Sequence, residues 1–152
     1  MEKIESISVA VENTGRPSGA VSEPSPCGVP TGNLLPLLYE IRHALARWLE
    51  DEHPHIIDLR TIPMSPDEET RLLDILGSGE ISASLSTLGS SDIVETGING
   101  VWLVTHHNDD GVQVGRFIEI CRIPEILKSQ TEDARMALQR LDDLLANAET
   151  TV

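Results

Sequence analysis

Apolar residues recur at three- and four-residue intervals in the first half of the chain, which is the period of an amphipathic helix. The pattern predicts one helix from Leu34 to about Glu52, with Asn33 as its N-cap, ending before Pro54. A second helix is predicted over Ser65–Leu76. Its start carries a capping box with proline in the first turn, and a glycine follows its last turn.

The same period returns at the end of the chain, where Thr131 with two acidic residues marks the start of a long terminal helix. The apolar stripe of this helix contains Ala134, Leu138, Leu141, Leu145 and Ala148. No other part of the second half of the chain shows so long a helical repeat. We therefore expect three helices in total.

Residues 79–124 follow a different pattern, in which short extended segments alternate with Gly-, Asn- and Asp-rich turns. Apolar residues at 81, 83 and 85 alternate with serines, as in a strand with one buried face. Asn99-Gly100 predicts a hairpin between Glu95–Ile98 and Val101–His107. A turn at residues 108–111 leads into a strand over Val112–Cys121, and residues 55–60 predict one more strand.

These elements predict an α+β fold: a mostly antiparallel sheet of four or five strands packed against two or three helices. We expect the C-terminal helix to lie on the same face of the sheet as the other two. Residues 1–32 are rich in Pro, Gly and Ser, which predicts a flexible N-terminal arm. The predicted division is therefore an arm over residues 1–32 and one domain over residues 33–152.

The net charge of the chain favours some classes of binding partner over others. The chain of 152 residues has 25 acidic and 11 basic side chains and a net charge of −14. This balance disfavours nucleic acid and anionic membranes, whose phosphates attract Lys and Arg, and it suits a basic protein segment. The sequence shows no leader-like segment and no long apolar run. We therefore expect a cytoplasmic protein without membrane insertion.

Candidate reactive groups are few. His106 and His107 are adjacent on a predicted strand, so their side chains should point to opposite faces and cannot bind one metal ion together. Cys121 is predicted to be a packed residue near the end of the last strand, and Cys27 lies in the Pro/Gly-rich arm without a neighbouring base. No phosphate-binding loop, nucleophile elbow or zinc-protease motif is present. The sequence predicts no enzyme, no cofactor and no metal site.

Five longer sequence segments resemble those of a known protein family. In chain order they are GNLLPLLYEIRHAL, IDLRTIPMSPDEE, LGSGEISASLSTLG, ETGINGVWLVTH and GRFIEICRIPEIL, spanning Gly32 to Leu127. As a set they resemble the hydrogenase expression/formation family known as HupH, HyaF or HoxQ. The resemblance implies an accessory role in the maturation of a [NiFe]-hydrogenase. It also implies as partner the precursor of the small, iron–sulfur-containing subunit, which carries a basic twin-arginine signal, or another maturation factor.

We therefore predict a chaperone-like protein that binds another protein. The candidate partner-binding residues are Glu95, Trp102, His106 and Glu119, because an aromatic side chain among charged and imidazole groups suits an interface. A core role is the competing interpretation for Trp102. Two other functions stay open. One is a metal- or thiol-handling factor in iron–sulfur cluster assembly that uses Cys27, Cys121 and a histidine. The other is a homodimer that scaffolds other factors.

Overall fold

The computed structural model describes residues 28–87 and 89–150. The predicted N-terminal arm lies mostly outside these residues, and so does Cys27. Within them the chain forms three α-helices, five strands and two short 3₁₀ turns. In chain order these are α1 (Leu34–Asp51), β1 (His55–Asp58), the 3₁₀ turn Leu59–Thr61, α2 (Pro66–Leu76), β2 (Ser82–Thr87), β3 (Gly89–Glu95), β4 (Val101–His107), β5 (Gln113–Ile120), the 3₁₀ turn Glu125–Leu127 and α3 (Thr131–Thr150).

The five strands form one antiparallel sheet in the order β1-β5-β4-β3-β2. This confirms the predicted α+β class. The first hairpin differs in detail, because β3 ends at Glu95 and residues 96–100 form the connection. Thr96 explains the early end: its hydroxyl donates to the Val101 carbonyl at 2.9 Å and accepts from the Ile98 amide at 3.2 Å. Gly100 has a φ of 83°, the left-handed conformation that glycine adopts without strain.

The start of α2 is as predicted. The Ser65 hydroxyl accepts from the Glu68 amide at 3.3 Å, and the Glu68 carboxylate accepts from the Ser65 amide at 2.9 Å. That carboxylate also accepts from the Thr31 amide and hydroxyl and from the Gly32 amide, at 2.8–3.0 Å. These donors, the Ser65 amide first, lower the pKa of Glu68 to about 2. Glu68 therefore joins residues 31–32 to α2.

Asn33 precedes α1 as predicted, but its side chain makes no cap bond to that helix. The amide group of Asn33 donates instead to the Pro63 carbonyl at 2.7 Å. The side chain therefore makes a long-range hydrogen bond in place of a local cap bond.

One face of the sheet, the helix-covered face, carries the main core. Buried side chains of β1, β4 and β5 contact the apolar sides of α1 and α2. The strands contribute Ile57, Val101, Ile118 and Ile120, and the helices contribute Leu34, Leu37, Ile41, Ala44, Leu72 and Leu76. Several of these are at most 2% exposed, so two helices suffice to close this face.

The expected packing of the C-terminal helix on the sheet is wrong. Helix α3 forms with the predicted start at Thr131, but every residue from 131 to 149 is exposed. The physical reason is that α1 and α2 already occupy the helix-covered face. Among the described helices, none combines the length and the apolar character that crossing a membrane requires.

Candidate functional site

The four candidate partner-binding residues lie on the opposite face of the sheet, which we call the second face. In the strand register Glu95 of β3 is opposite Trp102 of β4, and Trp102 is opposite Glu119 of β5. These three side chains form one row across the sheet, because residues directly opposite on antiparallel strands point the same way. His106 lies on the same face, four residues along β4 from Trp102. The strand pairing thus brings together residues that are up to 24 positions apart.

Trp102 belongs to the interior of this face. Its side chain is 3% exposed and packs with three other buried residues, Ile93, Val104 and Cys121. The indole N–H donates to the Cys121 carbonyl at 3.1 Å, so its polar atom also has a partner inside the protein. Trp102 is therefore part of the buried layer beneath this face, and its side chain offers almost no exposed area to a partner. This geometry agrees with the core interpretation of Trp102.

The two adjacent histidines point to opposite faces, as predicted. His106 contacts the Ser91 hydroxyl through Nδ1 at 2.8 Å, and its ring packs edge-to-face with the Phe117 ring at a centroid distance of 5.6 Å. His107 instead lies 3.7 Å from an Asp92 carboxylate oxygen. Ser91 and Asp92 are themselves neighbours on β3, so their side chains alternate in the same way. The two imidazoles cannot bind one ion.

Glu119 lines a cleft of about 260 Å³ beside the edge strand β1. The apolar part of the cleft includes Trp48 of α1, Ile56 of β1 and Ile123 after β5. Ile56 is opposite Glu119 in the sheet register, and its side chain is 59% exposed. Sequence reasoning identified Glu119 but missed the cleft, because its walls come from segments about 70 residues apart that only the β1–β5 pairing brings together.

The charges in this cleft are unevenly paired. At its rim Arg122 donates to Glu52 at 2.6 Å, and Lys128 donates to Glu125 at 2.7 Å. Among the described residues Glu119 has no such cation, and partial burial raises the pKa of its carboxyl group. Glu119 is therefore a partly desolvated carboxylate without a counter-charge among the described residues.

Cys121 lines the same cleft and is 4% exposed. Burial, together with the nearby Glu119 carboxylate, raises the pKa of its thiol to about 11. The thiol is therefore protonated at neutral pH in the free domain, which disfavours nucleophilic attack by Cys121. Within residues 28–87 and 89–150, no three His, Cys, Asp or Glu side chains are grouped so that they could hold a metal ion.

The fold and this site define an α+β domain with a small, mostly apolar cleft beside one unpaired carboxylate. The conserved C-terminal region of the HupH hydrogenase expression proteins matches residues 32–148. The chain belongs to this family.

Similar proteins support the same family assignment. The hydrogenase expression/formation protein HupH of Rhizobium leguminosarum bv. viciae is 31% identical over 144 residues, which cover 93% of this chain and 50% of that protein. The hydrogenase expression/formation protein HoxQ of Cupriavidus necator is 29% identical over 119 residues, covering 77% of this chain and 42% of that protein. The chain thus spans about half the length of the curated relatives it matches.

A solved structure, the hydrogenase expression protein HupH from Thiobacillus denitrificans, superposes with a TM-score of 0.75 at 37% sequence identity. The match covers 78% of this chain and 99% of that one. The α+β architecture is therefore that of an experimentally observed fold.

Proposed function

We propose that this chain acts in the cytoplasm in the maturation of a [NiFe]-hydrogenase, without catalysing a reaction, by binding an immature hydrogenase protein. Membership of the HupH family supports the role, and relatives are described as hydrogenase expression/formation proteins. The observation that carries the binding function is the cleft around Glu119. Its partner is the precursor of the small subunit or another assembly factor.

The size of the cleft favours a protein side chain over a small molecule. Small-molecule pockets usually measure about 300–1,000 Å³ and enclose most of their ligand, whereas this cleft measures about 260 Å³. It is open to solvent beside Ile56, which belongs to an edge strand. A space of this size accommodates one or two side chains of an extended segment.

The chemistry of the cleft favours a basic and apolar segment. A cation from the partner gives Glu119 the counter-charge that the described part of this chain does not supply. The apolar walls at Trp48, Ile56 and Ile123 accept a neighbouring aliphatic side chain. A charge of −14 on this chain attracts a basic partner over a longer range. A small-subunit precursor with a basic twin-arginine signal has this combination of properties.

The test is a pull-down of the tagged chain with small-subunit precursor, made with and without its signal peptide. We expect binding by the wild type, loss with Glu119→Lys and at least a severalfold loss with Glu119→Gln. Asp74→Lys is the matched control, because Asp74 is an exposed acid on α2 and lies outside the cleft. Unchanged binding by both Glu119 variants would refute the role of the cleft.

The signal peptide separates two forms of the proposal. If the precursor without its signal binds as tightly as the full precursor, the folded subunit and not the basic segment is recognised. Failure of every hydrogenase subunit and every maturation factor to bind would refute the protein-binding function itself.

A further inference from the structure

Helix α3 presents a large uncovered apolar surface. Every residue from 131 to 149 is exposed, and the four leucines are 52–62% exposed: Leu138, Leu141, Leu144 and Leu145. Most helices in proteins are stabilised by packing of their apolar side, whereas the 20 residues of α3 have no such cover on their leucines. An apolar stripe of this length on a solvated helix therefore indicates a partner surface.

The spacing of the stripe identifies the kind of partner. Along α3 the apolar residues advance by four, three, four and three positions, at Ala134, Leu138, Leu141, Leu145 and Ala148. This average of 3.5 is the repeat by which two helices wind around each other, each inserting its side chains between those of the other. We propose that α3 pairs with α3 of a second copy of this chain, and that the two helices run in opposite directions.

The opposite direction follows from the residues that flank the stripe. In an antiparallel pair with Ala134 beside Leu145 of the second copy, the central layers are Leu138 beside Leu141. Residues that flank the same side of each stripe then face each other. Arg135 of one copy faces Asp142 of the other, and the pairing occurs twice by symmetry. Charged residues at such flanking positions decide the orientation of paired helices.

The other flank supports the same arrangement. It carries Ala137 and Leu144, which face each other across the antiparallel pair, so an apolar group meets an apolar group. In a parallel pair the facing flank residues are Ala137 with Asp142 and Leu144 with Glu149. That arrangement sets a carboxylate against an apolar side chain at both positions and leaves Arg135 without an acidic partner across the interface. The antiparallel pair is therefore electrostatically favoured.

Four layers of stripe residues form a short interface, since coiled coils usually sustain three to four heptads. We therefore expect a weak, reversible dimer whose fraction rises with protein concentration over about 5–500 µM. Sedimentation equilibrium measures this association directly. A protein that stays monomeric over the whole range overturns the proposal.

Cross-linking between engineered cysteines tests the direction of the helices. In a Cys27→Ser background, one sample carries Ala134→Cys and a second, tagged sample carries Leu145→Cys. The antiparallel pair joins the two different chains on mild oxidation. It leaves two copies of Ala134→Cys unjoined, because 11 residues of helix separate these positions by about 16 Å, beyond the roughly 7 Å Cα reach of a disulfide.

Met136→Cys is the matched control for this experiment. Met136 is 60% exposed but lies on the opposite side of α3 from the stripe, so it should not cross-link with either sample. Predominant joining of identical Ala134→Cys chains shows a parallel pair and overturns the proposal. Equal joining of all three cysteines shows random collision and overturns it as well.

A charge exchange provides a second, independent test. Arg135→Glu places two carboxylates at each flanking contact, and Asp142→Arg places two cations there. We expect each single variant to weaken the dimer about tenfold, and the double variant to return to within about threefold of wild type. No residue of α3 belongs to the main core and residues 131–149 are exposed, so we expect the folded domain to survive these changes. Additive weakening in the double variant overturns the proposed contact.

Discussion

Replacing Trp102 by phenylalanine separates its two interpretations, as a core residue or as a partner contact. The substitution removes the indole N–H that donates to the Cys121 carbonyl at 3.1 Å. Leaving that carbonyl without a donor inside the protein costs about 1–3 kcal/mol. The smaller ring also gives up packing worth roughly 2 kcal/mol at a position that is 3% exposed. We expect a loss of about 3–5 kcal/mol in the free energy of unfolding, which is large for one substitution.

The assay is urea unfolding followed by far-UV circular dichroism at one fixed protein concentration. Thermal unfolding should agree with it, because each kcal/mol shifts the Tm of a domain of this size by about 2–4 °C. Leu141→Ala is the control, since Leu141 is exposed on α3 and its loss should change stability by no more than about 0.5 kcal/mol at a concentration where the chain is monomeric.

A Trp102→Phe protein as stable as the wild type would refute the core interpretation. It would then leave partner contact as the reason for an aromatic side chain at this position. A destabilised variant that still binds the partner at low temperature is the result we expect.

Three further predictions concern single ionisable groups. Glu68→Gln should lower the Tm at pH 7 and make the Tm fall less steeply as the pH is lowered. The pKa of Glu68 is about 2 in the folded domain, against an ordinary value of 4.5. The stabilisation by this carboxylate is therefore complete above pH 4.5 and is lost as the pH falls toward 2. Parallel Tm–pH profiles of variant and wild type between pH 3 and 7 would contradict this. Glu119→Gln should raise the Tm at pH 7, because burial raises the folded pKa and ionisation above pH 4.5 then opposes folding; a lower Tm would be contrary evidence. In a Cys27→Ser background the Cys121 thiol, whose pKa burial raises to about 11, should react with a disulfide reagent far more slowly in the native state than in urea. Equal rates would show that it is accessible.

Local patterns in the sequence were sufficient for much of the fold. The capping box at Ser65 and Glu68 depends on residues three positions apart, and it forms as predicted. Strand β4 has the predicted bounds, Val101–His107, because an unbroken apolar run follows directly after a turn. The opposite directions of His106 and His107 follow from strand geometry alone.

What the sequence did not show depends on distant contacts. Strand β3 contains Gly89, two serines and an aspartate, a composition with little strand preference, and it is held by pairing on both sides to β2 and β4. The four donors to Glu68 come partly from residues 31–32, more than 30 positions away. The stripe on α3 predicted a helix correctly, but a stripe does not specify whether this chain or another one covers it.

Glu119 connects stability with the proposed function. Its carboxylate lies between the apolar wall at Ile56 and the buried Cys121, and in the folded domain it lacks the cation that each rim carboxylate has. A neutral glutamine of the same shape would suit the free domain better, so stability alone does not favour glutamate here. In the proposed complex a partner cation would change this balance, because it would give the partly desolvated charge a counter-ion. Part of the binding free energy is then used to offset the cost of the buried charge, which keeps the complex reversible. A maturation factor that must release its client gains from such a site.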